Sequence, residues 1–264
     1  MDFGLIIIGD EILSGKRADK HLSKAIELLA ARGLSLAWAR YVGDERERIT
    51  HALREAFASG DAVFSCGGIG ATPDDHTRQC AGAALGRPLV LHPEARELIM
   101  QRVREMAAEQ GTPADENHPD TLRRLEMGVF PEGASIIPNP FNRIPGFSLG
   151  DVHFVPGFPV MAHPMIEWVL DARYADRRRA GVRQERSVIV YGSMEATLTP
   201  LMEDIEARFP GVKVFSLPSV DHPQYGRHLE LGVKGDPAAV DAAYPALIEG
   251  LKRYPTRLGP ELVR

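Results

Sequence analysis

Apolar positions run along this chain in two periods. Phe3 and Leu5 to Ile8 form a nearly unbroken apolar run, which predicts a buried first strand over 3–9 with β-branched residues at its centre. Residues 9–15, Gly-Asp-Glu-Ile-Leu-Ser-Gly, read as a loop. Asp19 then caps a helix whose apolar positions Leu22, Ile26, Leu29 and Ala30 recur at helical spacing, and Gly33 stops it. A second strand is predicted over 34–42, a turn at 43–45, and a helix marked by Ile49, Leu53 and Phe57. Gly60-Asp61 leads into a third strand at 62–64. Strands alternating with helices of this length predict βαβαβ units and a parallel sheet. Ligands of such sheets bind beyond the carboxyl ends of the strands, where loops 9–14, 43–46 and 67–75 converge.

Further along, a helix is predicted over 94–110, a polar loop over 111–120 and a short helical piece over 122–127. The prolines of 138–147 exclude a regular element there. Val152 to Val155 reads as a strand, 156–159 as a turn, and Met165, Ile166, Val169 and Leu170 mark another helix. Arginines then cluster over 173–186 with few apolar residues. We read this run as a solvated linker, because no wider basic face accompanies it as nucleic-acid binding would require. It divides an α/β domain over 1–175 from a small α+β domain over 186–254. The second domain is expected to hold strands at 187–191, 212–217 and 228–233, and helices at 194–209 and 237–253.

Composition narrows the function classes. The chain has 264 residues, 44% apolar and 25% charged, which is ordinary for a globular protein with a sizeable core. A net charge of −5 gives no footprint for nucleic acid. The longest apolar run is far too short to span a bilayer, and Met1-Asp2-Phe3 lacks the basic start of a signal peptide. Two cysteines, Cys66 and Cys80, do not make a disulfide scaffold, so a reducing cytoplasm is the expected compartment.

The richest chemistry lies in 65–77. An apolar strand enters three glycines within four residues, and Thr72, Pro73 and Asp75 read as N-cap, first helical position and capping-box partner. Strand, glycine turn and helix start together present N–H groups to an anion. Asp74 and Asp75 would repel that anion, unless a divalent cation bridges carboxylate and phosphate oxygens. The alternative is that Asp75 only closes the capping box and Asp74 only complements the helix dipole. Asp10 and Glu11 equally read as solvated loop residues, and Asp44 as an N-cap. Nine histidines without an HExxH pattern make magnesium or a similar oxygen-bound ion the better expectation than zinc.

The run Gly67-Gly68-Ile69-Gly70-Ala71-Thr72-Pro73-Asp74-Asp75-His76-Thr77 resembles the GG-x-G-x-T-x-D-D-x-T signature of the molybdopterin-binding (MoaB/Mog-like) superfamily, in particular its competence/damage-inducible protein A (CinA) branch. Gly9 to Gly15 is similar to that family's first loop, Val42-Gly43-Asp44 to its second-strand exit, and Pro138-Asn139-Pro140 with Pro145-Gly146-Phe147 to its proline-rich loop. Pro156-Gly157-Phe158-Pro159 resembles its P-G-x-P motif, and Tyr191 to Glu195 the start of its small second domain. Two departures stand out: Met161 where many relatives carry glutamate, and Lys20-His21 where a Thr-Asn pair is common.

The resemblance implies a three-layer α/β/α sandwich with a mostly parallel sheet, followed by a small α+β domain, without CinA's C-terminal deamidase domain. It implies Asp44 and Asp75 as catalytic acids, and Gly67, Gly68, Gly70, Thr72, Thr77, Asn139 and Gly157 as ligand or phosphate contacts. Asp75, Asp10, Glu11 and Asp74 would hold the divalent metal. The activity implied is hydrolysis of a nucleotide pyrophosphate of the ADP-ribose or FAD type, by a protein that forms homo-oligomers. A molybdopterin-binding or adenylyl-transfer protein of molybdenum cofactor biosynthesis is the second reading, with molybdopterin as ligand. A non-catalytic interaction module is the third.

Overall fold

The computed structural model describes residues 1–177 and 184–263. Two units divide the chain, Met1–Arg178 and Arg179–Arg264. The first begins with β1 (Phe3–Ile8), α1 (Asp10–Leu13), α2 (His21–Ala30), β2 (Leu36–Val42), α3 (Arg46–Ser59), β3 (Ala62–Cys66) and α4 (Thr77–Leu85). It continues with β4 (Leu89–Leu91), α5 (Pro93–Glu109), α6 (Pro119–Glu126), β5 (Val129–Pro131), β6 (Ser135–Ile137), β7 (Gly146–Leu149), β8 (Val152–Val155) and α7 (Pro159–Arg173). A six-stranded sheet runs β2-β1-β3-β8-β7-β6. β2, β1, β3 and β8 are parallel, and β7 and β6 add antiparallel edges.

The layers follow from the two-residue period of the strands. Phe3, Leu5 and Ile7 pack against Ala25, Leu28 and Leu29 of α2 and Met165, Ile166 and Val169 of α7. Ile6 and Ile8 turn to the opposite face, against Ile49 and Leu53 of α3 and Cys80 and Ala81 of α4. Each fully buried valine, leucine, isoleucine, phenylalanine or methionine among them contributes about 1.5–3 kcal/mol. On α2 the expected stripe holds at Leu29 and is displaced at Ile26: Ile26 is 48% exposed, and His21, Ala25 and Leu28 are buried beside Leu29. The β7–β8 hairpin, unforeseen in the apolar pattern, turns at Gly150-Asp151 with Gly150 at φ 58°, as a two-residue turn requires.

The second unit comprises β9 (Gln184–Tyr191), α8 (Glu195–Arg208), β10 (Lys213–His222), β11 (Gly226–Gly235), α9 (Pro237–Leu251) and β12 (Arg257–Val263). Its antiparallel sheet runs β10-β11-β9-β12. Val188, Val190, Leu231 and Val233 pack under Leu198 and Ile205 of α8 and Val240, Tyr244 and Leu247 of α9. β12 was not expected, because Gly259 and Pro260 break its pattern; it is an edge strand whose register shifts between Leu258 and Glu261, where a proline is tolerated.

The linker reading of the arginine run needs correction at both ends. Arg173 donates to Gly150 O (3.2 Å) and to Ser135 Oγ within the first unit. Arg186 lies 4.3 Å over the Tyr244 ring and pairs with Asp241 and Glu261 within the second. Arg178, Arg179 and Arg183 lie outside the described residues. Cys66 and Cys80 are free and buried. Among the described residues no helix is long and apolar enough to cross a membrane.

Candidate functional site

The loops leaving the carboxyl ends of β1 and β2 brace each other. Asp10 N–H donates to Asp44 Oδ2 (2.9 Å), and Asp44 N–H donates back to Asp10 Oδ1 (3.2 Å). Gly9 N–H donates to Val42 O (3.0 Å). Residues 10–13, expected as loop, form one helical turn closed by Ser14 N–H on Asp10 O (2.8 Å). The α3 N-cap position falls to Glu45, so the Asp44 side chain serves the neighbouring loop rather than its own helix.

The glycine loop after β3 is held by its far end. Gly67 and Gly68 have φ of 107° and 69°, where L side chains are strained. A Cβ on Gly68 would also stand 2.2 Å from Thr77 Oγ1. Buried Thr77 donates through Oγ1 to Gly67 O (3.0 Å) and through its N–H to Gly68 O (2.9 Å). These bonds fix the start of α4 at Thr77 with His76 as N-cap, which corrects the expected start at Thr72-Pro73. Residues 72–75 instead form a turn closed by Asp75 N–H on Thr72 O (3.0 Å), with Thr72 N–H donating to Asp75 Oδ2 (2.9 Å) and its Oγ1–H shared between Asp75 Oδ2 and Asp74 Oδ1 (2.5 Å each). Beneath it, buried Arg78 donates to Gly70 O (2.6 Å) and to Glu126 O. Burial lowers the Arg78 pKa, while the charges of Asp75 and Glu126 act the other way.

Two further segments complete the walls. Asn139 is buried and spends its amide on its own loop: it donates to Asn142 Oδ1 and Ile144 O and accepts from Phe141 N–H. Gly157 O bonds to Nε2 of buried His21 (3.0 Å). His21, which departs from the common Thr-Asn pair, therefore supports the wall through Gly157. Met161 accepts from Asn142 Nδ2 through Sδ (3.3 Å) and presents no acid.

These segments enclose a cleft of about 420 Å³. Glu11, Asp44, Asp74 and Asp75 border it, as do Gly67, Gly68, Gly70 and Thr72. Asn139 and Gly157 also line it, whereas Asp10 and Thr77 sit behind it as braces. The N–H groups of Gly68, Ile69, Gly70 and Ala71 have no hydrogen-bond partner among the described residues. Burial pushes the Asp44 carboxyl up; the Asp10 N–H pulls it down, and the charges of Asp10, Glu11 and Asp74 push it up again. Thr72 holds the Asp74 carboxyl below the usual range. Asp10, Asp44 and Asp75 each commit one carboxylate oxygen to a loop and keep the other without a partner among the described residues. Apolar Met127, Ile144, Pro145, Phe158 and Met161 line the rest.

Residues 4–175 match the family described as a probable molybdopterin binding domain. The chain belongs to that family. A protein of Pyrobaculum calidifontis is 32% identical over 258 residues, covering 94% of this chain and 95% of its own. A CinA-like protein of Syntrophotalea carbinolica is 31% identical over 220 residues, covering 79% of this chain and 51% of its own, so the chain spans about half the length of the CinA-like relatives it matches. A solved CinA structure from Thermoplasma acidophilum, a protein of unknown function, aligns over 65% of this chain and 98% of its own, with a TM-score of 0.55 and 24% identity.

Within this molybdopterin-binding-type domain, sequence reasoning missed Arg78, Asn142 and Arg17. Arg78 sits one residue past Thr77 on a short helix, and nothing local marks an arginine for burial. Arg17 lies in a polar loop and reads as solvated, yet it lines the cleft. Among the described residues, no three His, Cys, Asp or Glu side chains are grouped to hold a metal ion by themselves. The carboxylates fit an ion only as a shared one, with one or two acids on one side and ligand phosphate oxygens on the other, as magnesium is commonly held.

Proposed function

We propose that the cleft binds a phosphorylated nucleotide or pterin and that the protein hydrolyses a nucleotide pyrophosphate of the ADP-ribose or FAD type. One observation carries this reading: four residues whose backbone N–H groups have no partner among the described residues, and four carboxylates, line the same cleft. The amides of 68–71 would take a phosphoryl group, as successive backbone N–H groups in a turn do. The apolar side chains Met127, Ile144, Phe158 and Met161 would cover a flat heterocycle. Asp44, whose carboxyl is raised, would take a proton from an attacking water. Asp75 would hold the glycine turn and, with its second oxygen, face the ligand. A divalent ion shared between Asp44 or Asp75 and the diphosphate would offset the charge developing on phosphoryl oxygens.

The test is incubation with ADP-ribose, FAD and NADH in magnesium, reading AMP release. The Asp75→Ala variant is expected to lose about 10²-fold or more in rate. No AMP from any of the three, or full rate in the variant, contradicts the hydrolase reading. The family match favours a second reading, molybdopterin binding without hydrolysis, with the amides gripping the pterin's terminal phosphate. Calorimetry with molybdopterin separates the two: heat on mixing without pyrophosphate cleavage supports the second.

A further inference from the structure

Charge in the cleft is lopsided. Glu11, Asp44, Asp74 and Asp75 border it, and among the described residues Arg17 is the one lysine or arginine that does. The Arg17 side chain is exposed, and its guanidinium has no hydrogen-bond or ion-pair partner among the described residues. An arginine beside four carboxylates would ordinarily close onto one of them. Here it does not, although Glu11 and the second oxygens of Asp44 and Asp75 have no partner among the described residues. The backbone of Arg17 is anchored, with its N–H donating to Glu11 O (3.0 Å). A cationic fork thus stands on a fixed point of the rim, in a cleft where every other charged side chain is an acid.

A guanidinium stays charged and matches two phosphate oxygens at once. The amides of 68–71 suffice for one phosphoryl group; a second would face the carboxylates with no other cationic side chain to receive it. We infer that Arg17 takes that second phosphoryl group, and so sets the preference of this cleft for diphosphate ligands over monophosphates. This rests on the reading of the cleft as an anion site given above. Arg17 is here a specificity-determining residue for binding, and the bond to be broken is left to the acids.

The test is equilibrium binding of AMP, ADP and ADP-ribose to wild type, Arg17→Ala and Arg17→Lys. It is run first in EDTA, because a divalent ion would itself favour the second phosphate. Wild type should prefer ADP and ADP-ribose to AMP by about tenfold, the size of one charge-assisted contact. Arg17→Ala should lose that preference while AMP binding stays within about twofold, and Arg17→Lys should keep part of it. Matched thermal melts would show that the exposed side chain is not needed for folding. A preference that survives in Arg17→Ala overturns the inference alone, as does equal weakening of AMP and ADP. Wild type that binds none of the three, with or without magnesium, overturns the anion-site reading and this inference with it.

Discussion

Two polar clusters in the first unit use the same kinds of group to opposite ends. At the amino end of β8, Ser148, His153, Tyr174 and Asp151 form a closed chain. Ser148 Oγ–H donates to His153 Nδ1 (2.8 Å), His153 Nε2–H to Tyr174 OH (2.7 Å), and Tyr174 O–H to Asp151 Oδ1 (2.8 Å). Each donor in it meets one acceptor, and His153 is fully buried. At the carboxyl ends of β1, β2 and β3, by contrast, Asp10, Asp44 and Asp75 are half-committed, and four amides are left over. The first cluster has the residue types of a hydrolytic triad, but its serine, histidine and tyrosine are buried and only Asp151 reaches the surface. The second has access and unmet bonding capacity. A satisfied network stabilises; an unsatisfied one beside a cleft waits for a ligand.

If that contrast is right, breaking the closed chain costs stability and breaking the open one costs chemistry. The largest stability effect is expected at Tyr174→Phe, which strands the buried His153 N–H. A loss of about 2 kcal/mol in chemical denaturation is predicted. A variant as stable as wild type would show that the chain is not closed.

A second, smaller effect follows from His153. Burial pushes its pKa from 6.5 down to about 3. Between those values the unfolded chain binds a proton that the native state refuses, so stability rises with pH across that window. Its contribution is complete above about 6.5 and falls as pH drops toward 3. Lowering pH from 6.5 to 5.5 should cost at most about 1.4 kcal/mol from this group. Imidazole NMR checks it directly: a ring that titrates near 6.5 contradicts burial in a closed network.

The smallest stability effect, with the opposite sign, is expected at Asp44→Asn. The Asp44 carboxyl is raised, so its ionised form is a liability of the native state once pH climbs through its folded pKa. An asparagine oxygen still accepts from Asp10 N–H. Stability at neutral pH should stay level or rise by up to about 0.5 kcal/mol, converging with wild type in acid. AMP release should nonetheless fall about 10²-fold. A destabilised variant with intact turnover would reverse the assignment of the two clusters.

How far the sequence foretells these clusters depends on the range of the forces involved. The parallel strands are legible because Leu5 to Ile8 and Ala62 to Phe64 are apolar runs bounded by glycine, a local signal. The glycine loop is legible for the same reason. The start of α4 is not, because Thr77 is recruited by the carbonyls of Gly67 and Gly68 across a turn, while Thr72 and Pro73 satisfy the local capping rules equally well. Buried Arg78 and His21 are invisible for a related reason: each is held by a backbone carbonyl brought near only by the fold, Gly70 O for one and Gly157 O for the other. The β7–β8 hairpin carried a readable signal in Gly150-Asp151, and the short strands around it were too brief to be taken as a pair. Asp10 shows the finest limit. Its place in the first loop is readable, but whether it faces the cleft or braces Asp44 is decided by one hydrogen bond across 34 residues.

The most direct test of the central claim is a crystal soaked with ADP-ribose and magnesium. Diphosphate density is expected within hydrogen-bonding distance of the amides of 68–71, with the ion between it and Asp44 or Asp75. Density for the diphosphate elsewhere on the protein, or an unfilled cleft at saturating ligand, would contradict it.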